Sequence, residues 1–348
     1  MKTRSGHFHL WEYLLFSAAA FAAMLLCICL GSVDLPLSDT LAVLRAMLGG
    51  GALPDTLAAS IVPTVRLPRV LCVALTGASL SLAGAAMQGL LKNPLADGST
   101  LGVSSGAALG AVLAIAFGFS LPGFSLPGFS FAGTTVAAIV FAFGSLLVIL
   151  GLSYKLDRSL STNTIILIGV IFSMFVSSLM SIVITFAADK LQQITFWTMG
   201  SLRGSSLQNA AMLAVSLLVC GAVIFLHAEI LNAFAVGEEN ARHVGVNVRR
   251  AKLVLLIAVS VLIGVCVSIG GSIGFVGLVT PHMTRLLVGP NHKRLLPASF
   301  FGGAIFLMLC DLVCRVLLRP LELPIGVVTS LVGAVVFVFI FYRSRKEA

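Results

Sequence analysis

The chain has 348 residues, of which 58% are hydrophobic and only 10% charged, with a formal net charge of +9. A soluble domain carries about 25% charged residues to solvate its surface, so this composition, with its strongly positive mean hydropathy, excludes a water-soluble protein. Nor does the basic excess point to nucleic acid, because Lys and Arg sit in small groups at the ends of apolar segments, as membrane topology requires.

A hydrocarbon core about 30 Å thick takes about 20 apolar helical residues per crossing. Runs of that kind predict ten spans, at 11–31, 67–91, 100–118, 131–153, 162–186, 207–227, 251–269, 272–288, 295–317 and 324–342. The expected fold is all-α and polytopic, since a lipid-facing backbone must satisfy its own hydrogen bonds. Residues 1–348 read as one transmembrane domain, because no polar stretch is long enough to bury a second core. The first segment is too long for the apolar region of a signal peptide and lacks a small-residue cleavage site, so it reads as a true span.

Residues 37–48 form an amphipathic piece expected to lie along the surface. In the second span Gly77, Ser81, Gly84 and Ala85 recur along one helical face, a spacing that lets backbones approach closely. A pore-lining glycine stripe is the alternative. The tandem LPGFSLPGFS at 121–130 predicts a turn-rich loop. Residues 191–197 are too short to cross and predict a re-entrant or interfacial helix, with Trp197 at headgroup level. An even number of crossings puts both ends on one side. Fifteen of the 22 Lys and Arg then share that side and seven lie opposite, which makes the termini cytoplasmic.

The chain contains no GxxxxGK[ST] phosphate loop, so it is not its own ATPase by that mechanism. The acidic residues fall in loops or near span ends, which argues against proton or sodium coupling. Backbone carbonyls can also hold sodium, so an ion-coupled secondary transporter stays as a rival. Gly102-Val-Ser-Ser-Gly106 matches the serine-hydrolase elbow, but it opens an apolar helix instead of following a strand. Tight packing is the reading, with an intramembrane hydrolase built on Ser104 as the second rival. The seven cysteines lie in apolar segments without a CxxC pair and read as packing residues, although Cys310 and Cys314 share a helix face that a soft metal could use. His282 has no second His at helical spacing and reads as a helix-end hydrogen-bonding group, so no metal site is expected.

The 229–252 segment, EILNAFAVGEENARHVGVNVRRAK, is the one densely charged block between spans. Its 237–245 part places acidic residues early and basic residues late, as a helix dipole favours. On the positive side of the membrane it reads as a surface on which a soluble partner pushes.

These residues, together with Arg66-Leu-Pro-Arg69, Gly84-Ala-Ala-Met-Gln88, Asn93-Pro-Leu-Ala96, Leu101 to Gly106, Leu160-Ser-Thr162, Trp197-Thr-Met-Gly200, Gly270 to His282 and Glu322-Leu-Pro-Ile-Gly326, occur in order along nearly the whole chain. In them the sequence resembles the permease subunits of ABC importers for vitamin B12, iron–siderophore complexes and haem. The resemblance implies a transport subunit and not an enzyme, in a bacterial cytoplasmic membrane. It implies a homodimer, or a pair with a paralogous permease. Two ATPase subunits would lie beneath, carrying ATP and Mg, with a periplasmic or lipid-anchored substrate-binding protein above and no covalently bound cofactor. It assigns binding-protein docking to Arg66, Arg69 and Arg315. The cytoplasmic gates fall to Asn93, Leu95, Ser161, Thr162 and Asn163, and ATPase coupling to Gly237, Glu238, Ala241, Arg242 and Gly245. The cargo it implies is a ferric siderophore, with haem or cobalamin as alternatives.

Overall fold

The computed structural model describes residue 6 and residues 8–98, 101–118 and 133–346; from 340 onward Tyr342 is the one described side chain. The 121–130 loop and the terminal Lys2 and Arg4 lie outside the described residues. Helix α1 (Leu10–Cys29) is followed by the short α2 (Leu37–Gly49), where the amphipathic piece was expected. Next comes α3 (Leu57–Ile61), which runs through a π-helical turn (Val62–Arg66) into α4 (Leu67–Leu90). Pro63 and Pro68 fall near the start of those two pieces, where a missing N–H disturbs the helical ladder least. The second span is therefore longer at its outer end than hydropathy indicated.

Helices α5 (Val103–Phe117), α6 (Gly133–Leu156) and α7 (Thr162–Phe186) precede the short α8 (Leu191–Thr198). After α9 (Leu207–Leu226) the charged block forms α10 (Ala228–Val236) and α11 (Glu238–His243), broken at Gly237. Then come α12 (Val248–Gly270), α13 (Val276–Val288), α14 (His292–Val316) and α15 (Ile325–Lys346). All ten expected spans carry a helix, and among the described residues seven helices are long and apolar enough to cross a membrane. At 1.5 Å per residue α5 and α13 rise only about 22 and 20 Å, less than the hydrocarbon thickness. The eighth span is helical only from Val276: residues 272–275 are non-helical, and Phe275 takes a left-handed backbone (φ 66°) before α13 begins.

α4 is the centre of the molecule, buried along nearly its whole length. Its small residues make that possible. A methyl group on Gly77 would overlap the carbonyl of Gly303 in α14, and one on Gly303 would overlap Gly77 in return. Gly84 meets the carbonyl of Gly277 in α13 in the same way, while a methyl on Gly277 would lie 2.9 Å from the Leu80 oxygen. Where lipid and side chain are equally apolar, helices associate through such close backbone contact. The glycine face is therefore packed and does not line a pore. Gly106 and Gly110 seat α5 on Ser145 and Ala137 of α6, which gives the GxSxG stretch a packing role.

Two substitutions separate close approach from ordinary helix glycine. Gly84→Ala sets a methyl into a backbone carbonyl and is expected to lose at least the 1–3 kcal/mol typical of overpacking, about that much or more. Gly144→Ala, with nothing within 4 Å, is expected to hold or raise stability. Thermal unfolding of the two variants in detergent measures the contrast.

Candidate functional site

At the outer end of the bundle, α1 stops at Cys29 and leaves its last carbonyls without helical partners. Two guanidiniums supply the missing donors. Arg66 donates from Nη1 to the carbonyls of Ile28 (2.7 Å) and Cys29 (2.8 Å), and from Nη2 to that of Val33. Arg315 donates to Cys27 O (3.0 Å) and Leu30 O (2.9 Å). Cations at a helix C-terminus also complement its dipole. Arg69 holds Asp311 through Nε (3.0 Å) and Nη2 (2.9 Å) and reaches Glu322 through Nη1 at 2.8 Å. Arg315 Nε lies 2.9 Å from the second Asp311 oxygen, as an ion pair and not an aligned hydrogen bond. Ser32 donates to the other Glu322 oxygen at 2.8 Å.

Arg66, Arg69 and Arg315 are buried, at 4%, 7% and 2% exposure. The display to an outside partner that the resemblance implies is therefore not the arrangement found: their donors tie α1, α4, α14 and the 322 loop together. A carboxylate from outside would first have to displace Glu322, the half-buried end of the network. Asp311, 1% exposed and inside α14, is the acidic residue that hydropathy alone undervalued.

On the opposite side one residue assigned to gating, Thr162, meets one assigned to coupling, Glu238. Glu238 opens α11 after Gly237, whose φ of 143° suits glycine. Its carboxylate accepts from Thr162 Oγ1 (3.4 Å) and pairs with Lys252 Nζ (2.8 Å). Ser161 caps α7 by accepting from Thr164 N, and Asn163 is exposed beside it. Asp157 organises this turn, accepting from Ser159 Oγ (2.6 Å), Ser159 N (2.8 Å) and Ser161 N (3.1 Å), bonds that hold its carboxyl well below the usual carboxylate range. Leu95 is exposed after α4, its N–H bonded to the Asn93 side chain at 2.9 Å. Within α11, Ala241 is fully buried and faces the bundle, so it is not a contact for a partner. Arg242 and Gly245 are exposed.

The α10 half is anchored elsewhere. Asn232 accepts from His292 N (2.8 Å), lies 2.9 Å from His292 Nδ1 and donates to Asn291 at 2.9 Å, while Glu229 pairs with Lys293. The His292 ring lies against Gly89 near the end of α4, just ahead of Asn93. The α10–α11 pair thus touches the approaches to both gate segments. Sequence reasoning missed Asn232, His292 and Lys252, whose residue types carry no motif.

A cavity of about 240 Å³ lies where α5 and α13 begin, lined by Ser104, Ser105, Ser272, Phe275 and Asp97 among others. It falls short of the 300–1,000 Å³, in order of magnitude, that drug-sized ligands occupy, so a large chelate does not fit in this cavity as it stands. Ser104 Oγ donates to Gly98 O and, among the described residues, has no histidine partner to act as a base for the hydrolase reading. A second, more open recess of about 380 Å³ is lined by Gln193, Phe196, Trp197 and Arg203. Trp197 is half-buried against the core. Among the described residues no group of His, Cys, Asp and Glu is placed to hold a metal ion.

Residues 19–343 match the FecCD transport family. The hemin transport system permease protein HmuU of Yersinia pestis is 38% identical over 288 residues, covering 81% of this chain and 83% of that protein. The molybdate import system permease protein MolB of Haemophilus influenzae is 36% identical over 294 residues, 84% of each. A solved inward-facing structure assigned to the metal-chelate type of ABC transporter superposes with a TM-score of 0.83 at 32% identity, over 96% of this chain and all of that one.

Asp311→Ala would leave two buried guanidiniums short of their shared carboxylate. It is expected to destabilise the protein by about 3–5 kcal/mol, the scale of a broken buried ion pair. Arg45→Gln, at an exposed outer position, is expected to change stability by less than about 0.5 kcal/mol. Comparing the unfolding midpoints of the two purified variants checks this.

Proposed function

The chain belongs to the FecCD transport family, and we propose that within it this permease carries a large metal chelate, a ferric siderophore first, inward across a bacterial cytoplasmic membrane. Haem and cobalamin are the alternative cargoes. The observation that carries the reading is the inner junction, where the half-exposed α10–α11 pair is bonded to Thr162 of one gate segment and to His292, which packs on the end of α4 ahead of the other. A chain without its own phosphate loop but with such a surface is built to be driven by a separate ATPase. Two ATPase subunits, a second permease copy and an outer binding protein complete the assembly. The positive-inside count supports the orientation.

The second copy answers a physical need. The cavity at the starts of α5 and α13 is small for a large chelate, while α7 leaves Leu167, Ile171, Met174 and Phe175 outward. A path between two protomers would be large enough and bland. Likeness to the metal-chelate type of transporter and to a hemin permease favours a chelate over a bare ion. The molybdate permease, at nearly the same identity, is the reason the cargo needs direct measurement.

Reconstituted with its ATPase and binding protein, the permease is expected to accumulate labelled ferric siderophore only when ATP is present. Haem and cobalamin in the same vesicles test the alternatives. Uphill uptake by vesicles holding the permease alone would sink the ATP-driven reading in favour of ion coupling.

A further inference from the structure

Lys252 is 0% exposed and lies near the N-terminus of α12. That is a poor place for a cation, because the helix dipole presents its positive end there. Its neighbours Arg249 and Arg250 escape to the surface; Lys252 does not. Its ammonium is held by two oxygens from different elements, the Glu238 carboxylate at 2.8 Å and the Leu160 carbonyl at 2.9 Å.

Leu160 is itself unusual. It has φ 53°, a left-handed conformation that leucine rarely adopts, and it is 1% exposed. Its N–H donates to Asp157 O at 3.0 Å, which closes the turn ahead of the Ser161 cap of α7. One buried ammonium therefore joins the start of α11, the start of α12 and the turn that leads into the second gate segment. Glu238 adds its own bond to Thr162. These contacts are direct, at 2.8 and 2.9 Å, so α11 cannot shift without dragging the turn or breaking the pair.

We infer that Lys252 is a positioning residue that passes movement of the α10–α11 pair to the turn preceding α7. This rests on the proposed ATP-driven reading and names the element that carries the motion within it. Such a strut must be charged and long enough to span carboxylate and carbonyl. Arginine can replace it; methionine, of similar length, cannot.

The test uses the assembled permease–ATPase complex in proteoliposomes. An environment-sensitive dye is attached at exposed Arg158→Cys; the native cysteines are buried or half-buried. Without further change, ATP should alter the dye emission. If it does not, the ATP-driven reading and the inference fail together. Where it does, Lys252→Met should keep the ATPase bound and hydrolysing while the ATP-driven change falls roughly tenfold, within the usual span of coupling between sites. Lys252→Arg should restore it. The double variant Glu238→Gln/Lys252→Met leaves no orphaned charge, guards against misfolding and should show the same loss. An undiminished response in Lys252→Met or in the double variant overturns the inference alone. So does loss of response accompanied by loss of the bound ATPase, or a failure of arginine to rescue.

Discussion

In an apolar surround a buried polar group has no solvent to fall back on, and here the deepest charges sit where backbone groups are also short of partners. Arg66 and Arg315 reach the carbonyls at the end of α1. Lys252 reaches the carbonyl of a left-handed leucine. Gln88 donates toward the carbonyls of Gly277 and Leu278, and Pro281, four residues beyond Gly277, has no N–H to offer that oxygen. Each of these side chains thus donates to a backbone group that its helix leaves short of a partner. The defects are what interrupt the helices, so the interruptions depend on these side chains for their persistence.

The two ends of the molecule use that constraint differently. The outer network is buried: three guanidiniums and two carboxylates bind α1, α4, α14 and the 322 loop. The inner network is open on one side. Glu238 and Asn232 face inward to the bundle while Arg242 and Gly245 of the same segment stay exposed. Between the two ends, α4 contributes rigidity. Its glycines bring backbone against backbone at Gly303 and Gly277, contacts with no soft side chain to yield. A displacement at the inner surface therefore has a stiff column to work against, the condition for a rigid-body switch between packed states.

Cargo selection leaves a fainter trace. The cavity at the starts of α5 and α13 is small and lined mainly by serine, glycine and apolar groups. Permeases of hemin and of molybdate, two very different solutes, resemble this chain almost equally.

The positions of ten helices, the short amphipathic and interfacial pieces and the charged block were all readable in the sequence, because apolar length and the spacing of small residues act locally along the chain. The glycine face of α4 was readable for the same reason, though its partners were not. What only the tertiary structure decided is where charge goes. Arg66, Arg69 and Arg315 look like surface arginines at span ends, yet they turn inward to Asp311, 242 residues from Arg69, and to the end of α1, 37 or more residues from Arg66 and Arg315. Lys252 looks like one more inner-side cation beside Arg249 and Arg250, and its burial depends on Glu238 and Leu160 meeting it in space. The break before α13 escaped hydropathy because residues 272–275 are as apolar as a helix. Hydropathy measures transfer from water, and pairing and backbone direction are set by neighbours that sequence order does not reveal.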